Sequence, residues 1–184
     1  GVDIAPANIK AGMDIIVSGT LGDHAATVMA ARHDLTLPPE IQSDSAPLCH
    51  LTAAMLAAAP SIAVLRDPTR GGVAASLNEL ADAAGVGILL DEAAIPVHPA
   101  VQGVCDILGF DPLTLANEGK LLAFVPPEDT ERVLAVMHAD PHGRAACVIG
   151  HTTAEAPGSV GLRTALGGIR VVDLPLGELV PRIC

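Results

Sequence analysis

The 184-residue chain is long enough for one sizeable core, and half of its residues are hydrophobic, yet only Phe110 and Phe124 are aromatic. Its net charge of −11, from 10 Lys and Arg against 21 Asp and Glu, repels phosphate backbones and argues against nucleic-acid binding. No apolar run approaches the roughly 20 residues of a membrane helix and no secretory signal is visible, so a cytoplasmic protein with no membrane partner is expected.

The first strand signal covers residues 13–18 and is closed by Gly19 and Thr20. Leu21, Gly22, Asp23 and His24 open a helix that ends near Arg32 and His33, with an acid in the first turn and cations in the last, as the helix dipole favours. A polar, proline-containing loop fills 34–46. A second helix over 47–59 stops at Pro60, 61–65 reads as a short buried strand, and 66–72 as a turn. Val73, Leu77, Leu80, Ala81 and Ala84 then share one helical face, which Gly85 ends. A strand over 86–90 and a helix over 97–108 follow, and then the loop carrying Asn117, Glu118, Gly119 and Lys120. Beyond it come a buried strand over 121–125 and a helix from Pro127 through His138. The final strands are expected at 145–151, 159–164 and 168–173, the last two joined by a hairpin over 165–168. The pattern predicts an α/β (α+β) layered sandwich with a mixed sheet, forming one domain over 1–173. Two prolines and a glycine mark 174–184 as an extended or mobile tail.

The four cysteines, Cys49, Cys105, Cys147 and Cys184, form no C-x-x-C pair and have no histidine at zinc-ligand spacing, so no metal site is expected. Cys105 and Cys147 sit in apolar stretches and read as buried small hydrophobes. Sparse, unpaired cysteines suit a reducing compartment. Cys184 differs because it is the last residue. A terminal thiol can reach a site on its own or a second protein; its α-carboxylate raises its pKa and Arg182 partly offsets that.

Three internal segments carry candidate chemistry, each with a plainer alternative. Asp67, Pro68, Thr69, Arg70, Gly71 and Gly72 lie between a strand and a helix. The glycines allow close approach of a ligand, the helix start offers N–H groups to an anion, and Arg70 adds donors. The same residues also make an ordinary tight turn. In the 117–120 loop, Glu118 suits a general base and Lys120 can neutralise developing negative charge, with Asn117 beside them; an exposed loop with a surface ion pair is the alternative. Asp23 and His24 are weaker candidates, His24 as a ligand or proton shuttle or simply as a solvated first-turn residue.

Taken together, Ser18 to His24, Asp67 to Gly72, Asn117 to Lys120 and the ending Pro181-Arg182-Ile183-Cys184 resemble the HypE family of NiFe-hydrogenase maturation factors, in the AIR synthetase-related (PurM-like) superfamily. The ending is the most specific piece, since the glycine motifs are shared with selenophosphate synthetase and thiamine-monophosphate kinase. The resemblance implies that Cys184 accepts a carbamoyl group from the carbamoyltransferase HypF. ATP then drives dehydration of the thiocarboxamide to a thiocyanate, and the cyano group passes to iron on the HypC–HypD complex. Glu118 and Lys120 become candidate base and electrostatic helper, and 67–72 a candidate phosphate-proximal turn. The family's N-terminal half, which supplies most ligands for ATP and Mg2+ and the main homodimer contact, has no counterpart in these residues. With a chain that opens on Gly1 rather than Met, this implies a fragment that binds ATP weakly and does not turn over. The alternatives are another PurM-like ATP-using enzyme, such as selenophosphate synthetase, or a non-catalytic carrier that only presents Cys184.

Overall fold

The computed structural model describes residues 2–174. In chain order they form β1 (Asp14–Val17), α1 (Asp23–Arg32), α2 (Cys49–Ala58), β2 (Val64–Arg66), α3 (Gly72–Ala84), β3 (Gly87–Asp91), α4 (Pro99–Leu108), β4 (Leu122–Val125), α5 (Pro127–Ala139), β5 (Cys147–Thr153), β6 (Val160–Arg163) and β7 (Ile169–Val171). The seven strands make one sheet in the order β2-β4-β1-β5-β3-β6-β7. All pairs are antiparallel except β3 with β6, so the sheet is mixed, as expected.

Along β1, Ile15 and Val17 join one buried cluster with Leu122 and Phe124 of β4 and with Val73 and Leu77 of α3. Ile16 faces the other way, joining Ala123 and Val125, Leu51 and Met55 of α2, and Val133 and Met137 of α5. The central strands are therefore covered on both faces, and this is why β1 and β4 read as continuous apolar runs. A third cluster seats α1 against α4 through Ala25, Ala26, Val101, Val104 and Cys105, capped by Leu115. No helix among the described residues is long and apolar enough to cross a membrane.

The strand boundaries differ from expectation most clearly at β2 and β5. The strand expected at 61–65 is β2, which begins only at Val64, because Ile62 N–H closes a turn on the Ala59 carbonyl and the Ser61 hydroxyl bonds the Asp129 carboxylate. It then runs on through Arg66, paired with Leu122, into the segment expected as turn. The strand expected at 145–151 starts two residues later, since Ala146 N–H is held by the Gly143 carbonyl in the turn after α5. Cys147, expected to be buried, is half-buried, with its Sγ donating to the Ala94 carbonyl at 3.5 Å. The hairpin forms as expected, with Thr164 N–H on the Gly168 carbonyl at 2.7 Å. The expected tail falls outside the described residues apart from Leu174.

Phe124 is fully buried where the β1, β2 and β4 ladders meet. Phe124→Ala should lower unfolding free energy by about 3–5 kcal/mol, read as a drop in the urea midpoint with an unchanged slope.

Candidate functional site

The C-terminal end of β1 and the N-terminal end of β4 are zipped together where the two candidate loops meet. Ser18 N–H donates to the Leu121 carbonyl and Leu121 N–H to Ser18 Oγ, both at 3.0 Å. Just upstream, Asn117 is fully buried and acts as a bolt. Its Oδ1 accepts from Gly22 N–H at 2.8 Å, at the start of α1, while its Nδ2 donates to the carbonyls of Pro68 at 3.1 Å and Leu115 at 2.9 Å. One side chain thus ties the 18–23 segment, the 67–72 turn and the 117–120 loop together. The bonds to Gly22 and Leu115 satisfy backbone groups at buried residues, and the Pro68 carbonyl also accepts the Asn117 N–H at 3.2 Å.

Lys120 does not form the surface ion pair that the tetrapeptide alone allows. Its Nζ lies 3.2 Å from Asp44 Oδ2 and 3.7 Å from Asp23 Oδ2, and its side chain is only 12% exposed. The partners are buried too, Asp44 at 3% and Asp23 at 13%. Asp23 sits in the first turn of α1, where the dipole favours an anion, and its Oδ2 accepts from Thr20 Oγ1 at 2.5 Å. Asp44 Oδ1 accepts from Glu118 N–H at 3.0 Å. Asp44 Oδ2 has no directed hydrogen-bond donor among the described residues, so its contact with Lys120 is purely ionic. The cluster borders a cleft of about 370 Å³ whose other walls include Gly19, Ser43, Ser45, His142 and Arg144.

Glu118 itself is exposed, although its backbone is pinned on both sides. In the 67–72 turn, Asp67 and Arg70 are exposed, Thr69 and Gly71 half-buried and Gly72 buried. Gly72, at φ 62°, is pressed against the 112–115 segment: a Cβ there would lie 2.5 Å from the carbonyl oxygens of both Leu113 and Leu115. Gly71, at φ 71°, precedes α3, whose first turn has no side-chain cap. Gly72 therefore serves packing, and its N–H is held by the Thr69 carbonyl at 3.1 Å, while no side chain caps the helix start at Gly71. His24 lies at the same site, its Nδ1 2.9 Å from Ser43 Oγ. Asn117, Glu118, Lys120, Asp23 and His24 thus converge, while Asp67 to Gly72 are tied to them through Asn117 and Pro68. Cys184 and Arg182 lie outside the described residues.

Asp44 is the member that sequence reasoning missed. It sits in the irregular 34–46 loop between two serines, with no periodicity to mark it and its partners more than 70 residues away. Among the described residues no three His, Cys, Asp or Glu side chains converge as a metal site. The two carboxylates nearest the loop share the Lys120 cation and no third ligand converges on them among the described residues, so these residues do not fit a Mg2+ site.

The family of AIR synthase related proteins, C-terminal domain, matches residues 10–163. Carbamoyl dehydratase HypE of Rhodobacter capsulatus is 52% identical over 184 residues, which is all of this chain and 54% of that protein. A crystal structure of the hydrogenase maturation protein HypE in complex with ATP superposes with a TM-score of 0.92 at 39% identity, over 98% of this chain and 55% of that one. A HypE–HypF complex gives 0.88 at 40% identity, over 94% and 56%. The chain spans about half the length of the curated relatives it matches.

Two expectations follow from the site. Lys120→Met leaves two buried carboxylates without their cation and should destabilise the fold by about 3–5 kcal/mol in urea denaturation, the usual consequence of breaking a buried ion pair from one side. The second concerns the thiols. Burial, reinforced by Asp106 and Asp111, pushes Cys105 up to about 11, and burial also raises Cys147. At pH 8 only about one Cys105 in a thousand is then thiolate. Among the thiols of the described residues, iodoacetamide should label exposed Cys49 first, with Cys105 at least 10-fold slower and catching up only as pH approaches its pKa. Because the unfolded thiol ionises earlier, Cys105 also makes stability fall as pH rises from about 9 to 11.

Proposed function

The chain belongs to the AIR synthase related family through its C-terminal domain, and from that membership we propose that it is the catalytic-loop half of a HypE-type carbamoyl dehydratase acting in NiFe-hydrogenase maturation. In this reading the full-length protein receives a carbamoyl group on the Cys184 sulfur from HypF, dehydrates it with ATP, and hands the cyano group to iron on the HypC–HypD complex. It works in the cytoplasm as a homodimer. The observation that carries the reading is the 117–120 loop: it is bolted at Asn117 and Lys120, yet leaves the Glu118 carboxylate exposed to a group brought from elsewhere.

The chemistry asks for that combination. The thiocarboxamide S–C(=O)–NH2 must lose its oxygen and both N–H protons to become S–C≡N. Oxygen is a poor leaving group until phosphoryl transfer from ATP makes it phosphate. As the C–O bond breaks, the nitrogen lone pair builds the triple bond and the protons must go to a base within hydrogen-bond reach. Glu118 is the proposed acceptor. Lys120 is offset by Asp23 and Asp44, so its role is to hold the loop and to temper local negative charge rather than to donate a proton. The turn before α3, which no side chain caps, is the proposed approach for phosphate oxygens, with Thr69, Arg70 and Gly71 in it and Asp67 flanking it. The ligands of Mg2+ are assigned to the part of the full-length protein that this chain does not span.

The test uses the full-length protein with HypF and a carbamoyl donor, following the mass of the Cys184 peptide. Addition of the carbamoyl group and then ATP-dependent loss of one water are expected. Glu118→Gln should keep the first step and slow the second by roughly 10²–10⁴, and Cys184→Ala should abolish both. A carbamoyl group that is gained and kept indefinitely in the presence of ATP would identify a carrier instead. A Glu118→Gln rate equal to wild type would remove Glu118 from the chemistry.

A further inference from the structure

We propose that Asp44 is a positioning residue for Glu118: it fixes the backbone from which the carboxylate is presented, without touching the reacting group. The proposal rests on the reading of Glu118 as the base.

Asp44 engages three consecutive residues of the loop by three different means. Its Oδ1 accepts the Glu118 N–H at 3.0 Å, and its Oδ2 faces Lys120 Nζ at 3.2 Å. Its backbone carbonyl presses on the Cα of Gly119 so closely that any Cβ there would overlap it, and the Ala46 nitrogen would lie 2.9 Å away. Such coverage is unusual for a residue in an irregular, proline-containing loop. Yet the Asp44 side chain is 3% exposed, whereas Glu118, which it holds, is exposed.

The division of labour follows from where these contacts act. Asn117 anchors the loop on one side of Glu118 and Lys120 on the other, but neither bonds the peptide group of Glu118 itself. Only the Asp44 carboxylate does so among the described residues. The Glu118 N–H adjoins the Cα that carries the base, so releasing it frees the φ rotation that swings the carboxylate. A shift of about 1 Å in a reacting group can cost on the order of 10²-fold in rate. Asp23 cannot take over this role, because it reaches Lys120 at 3.7 Å and is otherwise held by Thr20.

The experiment is a mutant cycle in the full-length protein, with carbamoylation and dehydration of Cys184 followed separately. Asp44→Ala should leave carbamoylation intact and slow dehydration by about 10- to 100-fold. Asp44→Asn keeps an acceptor of the same shape and should recover most of that loss, although it gives up the charge facing Lys120. In a Glu118→Gln background Asp44→Ala should add nothing, since the group it positions is gone. If Asp44→Ala fails to fold, Gly119→Ala separates the loop from Asp44 by steric contact and should show the same slowed dehydration and the same lack of additivity. Wild-type dehydration by a folded Asp44→Ala variant, while Glu118→Gln is slow, overturns the positioning role alone. So does an equal slowing in the Glu118→Gln background, or Asn performing no better than Ala. Wild-type dehydration by Glu118→Gln overturns the base assignment and this proposal with it.

Discussion

A lysine buried beside two carboxylates is the constraint around which this end of the molecule is arranged. Lys120, Asp23 and Asp44 come from three segments far apart in the chain, and each would be costly to bury alone. One cation against two anions leaves the cluster short of positive charge. Partial charges offset some of the deficit: the Thr20 hydroxyl and the first turn of α1 on Asp23, and the Glu118 N–H on Asp44, while Asp23 Oδ1 and Asp44 Oδ2 have no hydrogen-bond donor among the described residues. The loops at 18–23, 43–46 and 117–120 therefore cannot move apart independently, because parting any two strands a buried charge.

This electrostatic knot sits on a mechanical one. β1 and β4 are interior strands of the sheet with apolar cover on both faces, and their ends are joined by the reciprocal Ser18–Leu121 bonds. Asn117 then carries that rigidity sideways to the start of α1 and to the 67–72 turn. The result is a loop whose backbone is nearly as fixed as the strand that follows it, with one carboxylate left at the surface. A general base that must meet a group carried by another part of the protein needs both properties, since a mobile base would spend binding energy on its own ordering.

The elements were legible because their signals are local. Apolar periodicity with Gly85 as a stop marked α3, and continuous aliphatic runs marked β1 and β4. The strand edges at Val64 and Cys147 were not legible, since they are set by hydrogen bonds from neighbouring turns. At the site, Asn117, Glu118 and Lys120 stood out by residue type, but their division into bolt, exposed acid and buried cation depends on contacts with Gly22, Pro68 and Asp44. Asp44 was invisible for the same reason. Gly72 shows the converse: two adjacent glycines suggested a ligand cradle, and at position 72 the close neighbours are the carbonyls of Leu113 and Leu115.

The remaining cysteines bear on how a single thiol could be selected. A protein that uses one sulfur as an acyl acceptor must keep its other thiols from competing, and nucleophilicity follows the thiolate. Cys105 is buried between α1 and α4 beside Asp106 and Asp111, so both desolvation and like charge hold its proton. Cys147 is held by burial, and its Sγ is occupied with the Ala94 carbonyl. These are the same forces, burial and neighbouring carboxylates, that in the Lys120 cluster are balanced by a cation. Where the cation is present, the fold keeps two buried acids in place; where it is absent, the thiol stays protonated. Burial thus withdraws Cys105 and Cys147 from competition, whereas Cys49 is exposed and is not silenced by the core.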